Sequence, residues 1–170
     1  MRSVLTPYYA RVRAELERFG GTVEKFIGDA VVALFGAPVA HEDDPERAVR
    51  AALAICDWAK EQTDGLQVRV AVNTGEALVA LGARPSEGEG MAAGDVVNTA
   101  ARLQAAAPVD GILVDETTRR ATAAAVELRP HEPLDAKGKS QPVPVWEVVA
   151  ARASLRLSPV KSANSWISPS

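Results

Sequence analysis

Short runs rich in Val, Ile and Phe alternate along this chain with longer stretches of helical periodicity, and tight turns at Gly, Asn and Asp divide them. A chain partitioned in this way has to build a sheet of short strands and cover it with helices. Tyr8, Val12, Leu16 and Phe19 recur at helical spacing, so Val4 to Phe19 reads as an amphipathic helix closed by Gly20-Gly21. Thr22–Ile27 and Ala30–Phe35 read as paired strands about the turn Gly28-Asp29. Asp44-Pro45-Glu46 opens a second helix, from Pro45 to about Gln62, with Asp44 as its side-chain cap. Val68–Val72 and Glu76–Leu81 flank Asn73-Thr74-Gly75 and predict a hairpin. Beyond the polar loop Gly82–Gly90, Asp95–Ala106 is helical until Pro108, and Ile112–Val114 is a strand. A small helix over Glu116–Ala125 precedes two closing strands, Val126–Arg129 and Val143–Val149, on either side of the loop Leu134–Gln141. This order predicts one α+β domain over residues 1–153, with helices packed on one face of the sheet. Residues 154–170, rich in Ser and Pro and without periodicity, read as a disordered tail.

A formal net charge of −3 supplies no general attraction for nucleic acid or an anionic membrane, and 5% aromatic residues leave few stacking platforms for RNA. The longest apolar run, Ala30 to Ala40, contains Gly36 and Pro38 and is too short to span a bilayer. Tyr, Arg and Glu interrupt the N-terminus where a signal peptide would need an apolar stretch. Cys56 is the only cysteine, so no intrachain disulfide forms, and it reads as a small buried group on a helix. A soluble cytoplasmic domain is the expectation.

Four groups of residues carry chemistry. In Lys25-Phe26-Ile27-Gly28-Asp29, a regular strand sets Lys25 and Asp29 on one side but roughly 13 Å apart, too far to pair. A carboxylate at a tight glycine turn suits a hard cation such as magnesium, although a bare Gly-Asp serves equally as a plain turn. Asn98 and Arg102, four apart on one helix, project from one face and suit a sugar and a phosphate; an exposed polar pair is the alternative. Arg69 sits between Val68 and Val70 and points away from the face that buries them. Lys137-Gly138-Lys139 is a basic turn that either holds phosphate or is solvated surface.

Five stretches in one order resemble the class III adenylate/guanylate cyclases, especially the bacterial homodimeric type. They are residues 20–30 (Gly-Gly-Thr-Val-Glu-Lys-Phe-Ile-Gly-Asp-Ala), 35–44 (Phe-Gly-Ala-Pro-Val-Ala-His-Glu-Asp-Asp), 69–76 (Arg-Val-Ala-Val-Asn-Thr-Gly-Glu), 94–103 (Gly-Asp-Val-Val-Asn-Thr-Ala-Ala-Arg-Leu) and 134–139 (Leu-Asp-Ala-Lys-Gly-Lys). The resemblance implies a ferredoxin-like cyclase fold with a mixed, mostly antiparallel sheet, and an active site formed between two chains. It implies conversion of ATP, with GTP possible, to a 3′,5′-cyclic nucleotide and pyrophosphate, with Mg2+ or Mn2+ as cofactor. The partner would be a second copy or a related cyclase domain. By the same resemblance Asp29 is a metal ligand, Lys25 reads the purine, Asn98 orients the ribose and Arg102 stabilises the pentavalent phosphorus. Arg69 and Lys137 match positions that hold the outer phosphates.

Two features depart from the pattern. The family's first strand carries a Phe-x-Asp motif with a second metal-binding aspartate, and no Phe-x-Asp occurs in these residues, so the expectation is a domain lacking its first strand. Met91 stands where relatives place an Asp or Thr that bonds the base, and a thioether cannot donate. A non-catalytic cyclase-homology module, acting in dimerisation or nucleotide-dependent regulation, is the alternative expectation.

Overall fold

The computed structural model describes residues 2–27, 29–63, 65–76, 78–79, 92–93, 95–135 and 141–152, with backbone alone for residues 2–6, 27, 78, 79, 92 and 93. In chain order the elements are α1 (Arg2–Arg18), β1 (Thr22–Ile27), β2 (Ala30–Leu34), α2 (Asp44–Glu61), β3 (Arg69–Val72), β4 (Leu78–Val79), β5 (Ala92–Ala93), α3 (Asp95–Ala106), β6 (Gly111–Asp115), α4 (Glu116–Thr122), β7 (Val126–Leu134) and β8 (Val143–Ala151). The class is α+β, as expected. Among the described residues no helix is long and apolar enough to cross a membrane. The loop expected over Gly82–Gly90, part of that over Leu134–Gln141 and the tail from residue 154 lie outside the described residues.

The main sheet has the order β3-β6-β8-β7, with β3 parallel to β6 and the other neighbours antiparallel. Along β3 and β6 its residues alternate between two cores. Ile112 and Val114 of β6 and Val70 and Val72 of β3 join Val49, Ala52 and Cys56 of α2, together with Val126 and Val148. Leu113 and Ala71, one residue out of phase, meet Leu103 and Ala107 at the end of α3, with Val145. Successive strand side chains point to opposite faces, so α2 and α3 cover opposite sides of the sheet. The expectation of helices on one face is therefore corrected for α3. The reason is visible in β6, whose three central residues are all buried and require a cover on each side.

Among the described residues, the hairpin expected over 68–81 does not form. β3 pairs in parallel with β6 instead, and β4 pairs with β5. Parallel neighbours need a crossover, which α3 provides. The hairpin expected at Gly28-Asp29 does form: β1 and β2 pair antiparallel, with Ile27 opposite Ala30. A bulge at Glu24 interrupts their register, so Val23 and Glu24 are both buried in succession.

At the end of α1, Gly20 has φ +93°, and the amides of Gly20 and Gly21 close onto the carbonyls of Glu17 and Leu16. A Cβ on Gly21 would come within 2.6 Å of the Phe35 ring, so the strand after the helix lies flush against that ring. The start of α2 differs from expectation. Asp43 occupies the cap position without a side-chain cap bond, whereas buried Asp44 accepts from the His41 amide at 2.6 Å. Cys56 is buried as expected, and burial pushes its thiol up to about 12.

Glu116 ties α4 to β8. It accepts from Arg119, Arg120 and the Trp146 indole, the last at 2.6 Å, while Arg119 lies 4.6 Å over the Trp146 ring. The Arg119 hydrogen bond, first among these causes, lowers the Glu116 pKa from 4.5 to about 2. A carboxylate with a depressed folded pKa stabilises above its unfolded value and loses that contribution as pH falls toward the folded one. Unfolding by denaturant should therefore show the wild type more stable than Glu116→Gln at neutral pH. That gap should narrow between about pH 4.5 and 2; a gap indifferent to pH would refute the assignment.

Candidate functional site

The chemistry-bearing residues fall on two platforms. On the first, Lys25 belongs to β1 and Asp29 to the exposed turn that follows. Lys25 Nζ lies 3.6 Å from the carboxylate of Glu24, which is fully buried at the bulge, and the lysine side chain remains 30% exposed. The partner that Lys25 needed is thus its sequence neighbour, brought alongside because the bulge breaks the alternation that would have set them on opposite faces. The charge on Asp29 reaches Tyr8 of α1, whose hydroxyl is raised first by burial and then by that carboxylate. Phe26, 42% exposed, packs edge-on to Tyr9 with ring centroids 5.0 Å apart and carries Arg13 over its face.

The second platform is α3. Asn98 and Arg102 both point to solvent from it, one helical turn apart, while Leu103 turns into the core. Among the described residues, none forms a hydrogen bond or ion pair with either side chain. The helix runs antiparallel alongside β3 and is tied to it at both ends. Gln104 Nε2 donates to the Arg69 carbonyl at 3.3 Å, and Asn73 Nδ2 donates to the Val96 carbonyl at 2.8 Å. Arg69, first in β3, is exposed as expected. Met91 and Lys137 lie outside the described residues. Lys25 and Asp29 are on a hairpin that shares no strand pairing with the sheet beneath α3, so the described residues do not join the two platforms through a common sheet.

Beside α3, a cavity of about 300 Å³ opens between the turn after β3, the start of α3 and the β6–α4 junction. Its floor is a polar network absent from the sequence-based expectations. Asp115 Oδ1 accepts from the Thr118 hydroxyl, from the Thr118 amide at 3.1 Å and from the Thr74 amide at 3.3 Å. Thr118 spends its one hydroxyl proton on Asp115, so Thr74 donates across the 2.8 Å contact between the two hydroxyls. The signal that could have revealed this was Asn73-Thr74-Gly75, whose polar side chains have to find partners once no hairpin forms.

Among the described residues, no group of three His, Cys, Asp or Glu side chains converges to hold a metal ion. Asp29 is a single exposed carboxylate at a turn. That suits magnesium or manganese only when phosphate oxygens and water complete the shell, which is the usual habit of magnesium at nucleotides.

A family model described as the adenylate and guanylate cyclase catalytic domain matches residues 1–147. Adenylate cyclase 1 of Rhizobium meliloti (strain 1021) is 29% identical over 157 residues, covering 86% of this chain and 24% of that protein. The chain thus spans about a quarter of that relative's length. The crystal structure of the adenylyl cyclase CyaB from P. aeruginosa superposes with a TM-score of 0.77 at 28% identity, covering 91% of this chain and 84% of that one. That of the guanylyl cyclase Cya2 gives 0.77 at 27%, covering 93% and 84%.

Replacing Thr118 with Val keeps its shape but removes its hydroxyl contacts to Asp115, Thr74 and the Val72 carbonyl, leaving Asp115 and Thr74 short of a partner. The expected cost is about 1–3 kcal/mol in denaturant unfolding, largely restored in Thr118→Ser. Equal stability of the Val variant and the wild type would show that the network contributes nothing.

Proposed function

The chain belongs to the adenylate and guanylate cyclase catalytic domain family, and from that membership we propose that it converts ATP, or alternatively GTP, to the 3′,5′-cyclic nucleotide and pyrophosphate in intracellular signalling. The observation that carries this reading is the solvent face of α3, where Asn98 and Arg102 stand one turn apart on a helix tied at both ends to β3. An amide and a guanidinium so presented suit a ribose and a phosphoryl group.

In the proposed step the ribose O3′–Pα bond forms, the bond from Pα to the bridging oxygen breaks, and pyrophosphate departs while the hydroxyl proton passes to solvent. Asn98 holds the ribose so that O3′ lies in line with Pα, which removes orientational freedom before the reaction. Arg102 offers planar donors to the charge that grows on the phosphoryl oxygens, an interaction strongest in the transition state. Arg69 and Lys137 neutralise the outer phosphates. Lys25, steadied by Glu24, donates to the purine edge, and Met91 borders the base without donating to it. A Mg2+ or Mn2+ ion held by Asp29 would lower the pKa of the 3′-hydroxyl and neutralise triphosphate charge. The reach expected between Lys25 and Asp29, roughly 13 Å along a regular strand, supports a cleft shared between two copies of the chain, or with a related cyclase domain, one copy supplying Asp29 and the other Lys25, Asn98 and Arg102, in the cytoplasm where ATP is available.

Purified chain incubated with ATP and Mn2+ should accumulate cyclic AMP, chelation should stop it, and added Mn2+ should restore it. GTP run in parallel decides the purine. Arg102→Ala should lower kcat by about 10²- to 10³-fold while nucleotide affinity changes only a few-fold. Equal losses in turnover and binding would remove its transition-state role. No cyclic nucleotide from either triphosphate, including from the chain extended by a Phe-x-Asp first strand, would sink the catalytic reading in favour of a regulatory module.

A further inference from the structure

We propose that Asn73 is a positioning residue whose side-chain amide sets the first turn of α3 and, through it, the place of Asn98. The catalytic half of this proposal rests on the cyclase reading above; the structural half does not.

Hydrophobic burial anchors α3 unevenly. Leu103 is its one fully buried residue, with Ala107 just beyond its end, and both sit at the C-terminal half next to Arg102. Nothing comparable is buried at the N-terminal half, where Asn98 is carried: Asp95 and Asn98 are exposed, and Val96, Val97 and Thr99 are half-buried. There the register depends on the turn after β3. Asn73 donates to the Val96 carbonyl at 2.8 Å, two residues before Asn98. Gly75 lies against the Val96 side chain so closely that a Cβ would stand 3.3 Å from its Cγ2. One turn therefore grips both the backbone and the side chain of the same residue.

A grip transmits position only if its other end is fixed. The Thr74 amide donates to Asp115, and its hydroxyl meets that of Thr118, which is fully buried. A continuous polar path thus runs from buried Thr118 at the β6–α4 junction through Thr74 and Asn73 to the first turn of α3. Loss of its last link loosens the first turn of the helix while Leu103 still holds the other end. Asn98 should then shift relative to Arg102, and misplacement of about 1 Å can cost up to about 100-fold in rate.

The decisive variants are Asn73→Asp, which keeps the size but sets a carboxylate against a carbonyl, and Asn73→His, whose ring N–H restores a donor at similar reach. Amide hydrogen exchange reads the structural claim. In Asn73→Asp, protection should fall about tenfold at Thr99 to Arg102, whose amides depend on the carbonyls of that first turn, while Ile112 to Val114 of β6 keep theirs. Kinetics reads the consequence. Asn73→Asp should lower kcat about 10- to 100-fold with KM within about threefold, and Asn73→His should recover most of both losses. Unchanged exchange at residues 99–102 would overturn the proposal, as would loss of protection throughout β6. Local loosening with kcat intact, in a chain whose wild type turns over, would overturn its catalytic half. If neither the wild type nor the chain extended by a Phe-x-Asp first strand makes cyclic nucleotide, the cyclase reading falls and that half with it, while exchange still decides whether Asn73 holds the helix.

Discussion

Strand β6 is buried on both faces, and the rest of the domain follows from that. Ile112 and Val114 require apolar cover on one side and Leu113 on the other. A strand with no solvent-facing side has to sit inside the sheet, between β3 and β8. It also has to be roofed twice, by α2 below and by α3 above. The start of β6 is held to the start of β3 by a reciprocal pair: the Asp110 amide donates to the Val68 carbonyl at 2.6 Å, and the Val68 amide to Asp110 Oδ1 at 3.1 Å. Asp110 itself adopts φ 59°.

This double burial places the candidate site. Because Leu113 and Ala71 must be covered, α3 lies along β3 with Leu103 inward, and helical geometry then turns Asn98 and Arg102 outward. The functional face is the geometric complement of the buried one. At the far end of β6, Asp115 caps α4 and gathers Thr118 and Thr74, so the strand that organises the core also anchors the polar path to α3.

The β1–β2 hairpin obeys a different logic. It carries Lys25 and Asp29, pairs only with itself among the described strands, and is held to the body through α1, where Tyr8 packs on Trp58 of α2 and Tyr9 on Phe26. Its bulge brings Glu24 beneath Lys25, so a buried acid and a half-exposed base share one site. Arg11 lies over the Trp58 ring and Arg13 over the Phe26 ring.

Much of this was legible in the sequence. Helical spacing and turn residues marked α1, α2 and α3, and Asp95–Ala106 coincides with α3 end to end, because apolar periodicity and caps are local properties of the chain. The outward turn of Arg69 followed from strand alternation, and the shared face of Asn98 and Arg102 from helical spacing. The partner of each strand did not follow. Asn73-Thr74-Gly75 has the composition of a hairpin turn, yet β3 pairs with a strand reached only after α3, since pairing is decided by which edges meet once the helices pack. The cover on both faces of β6, the bulge that joins Glu24 to Lys25, and the bond from Asn73 to Val96 all link residues whose proximity or orientation is created by folding. Residue type and spacing determined which side chains face water; only the tertiary structure decided which of them share a neighbourhood, because that depends on contacts between segments remote in the chain.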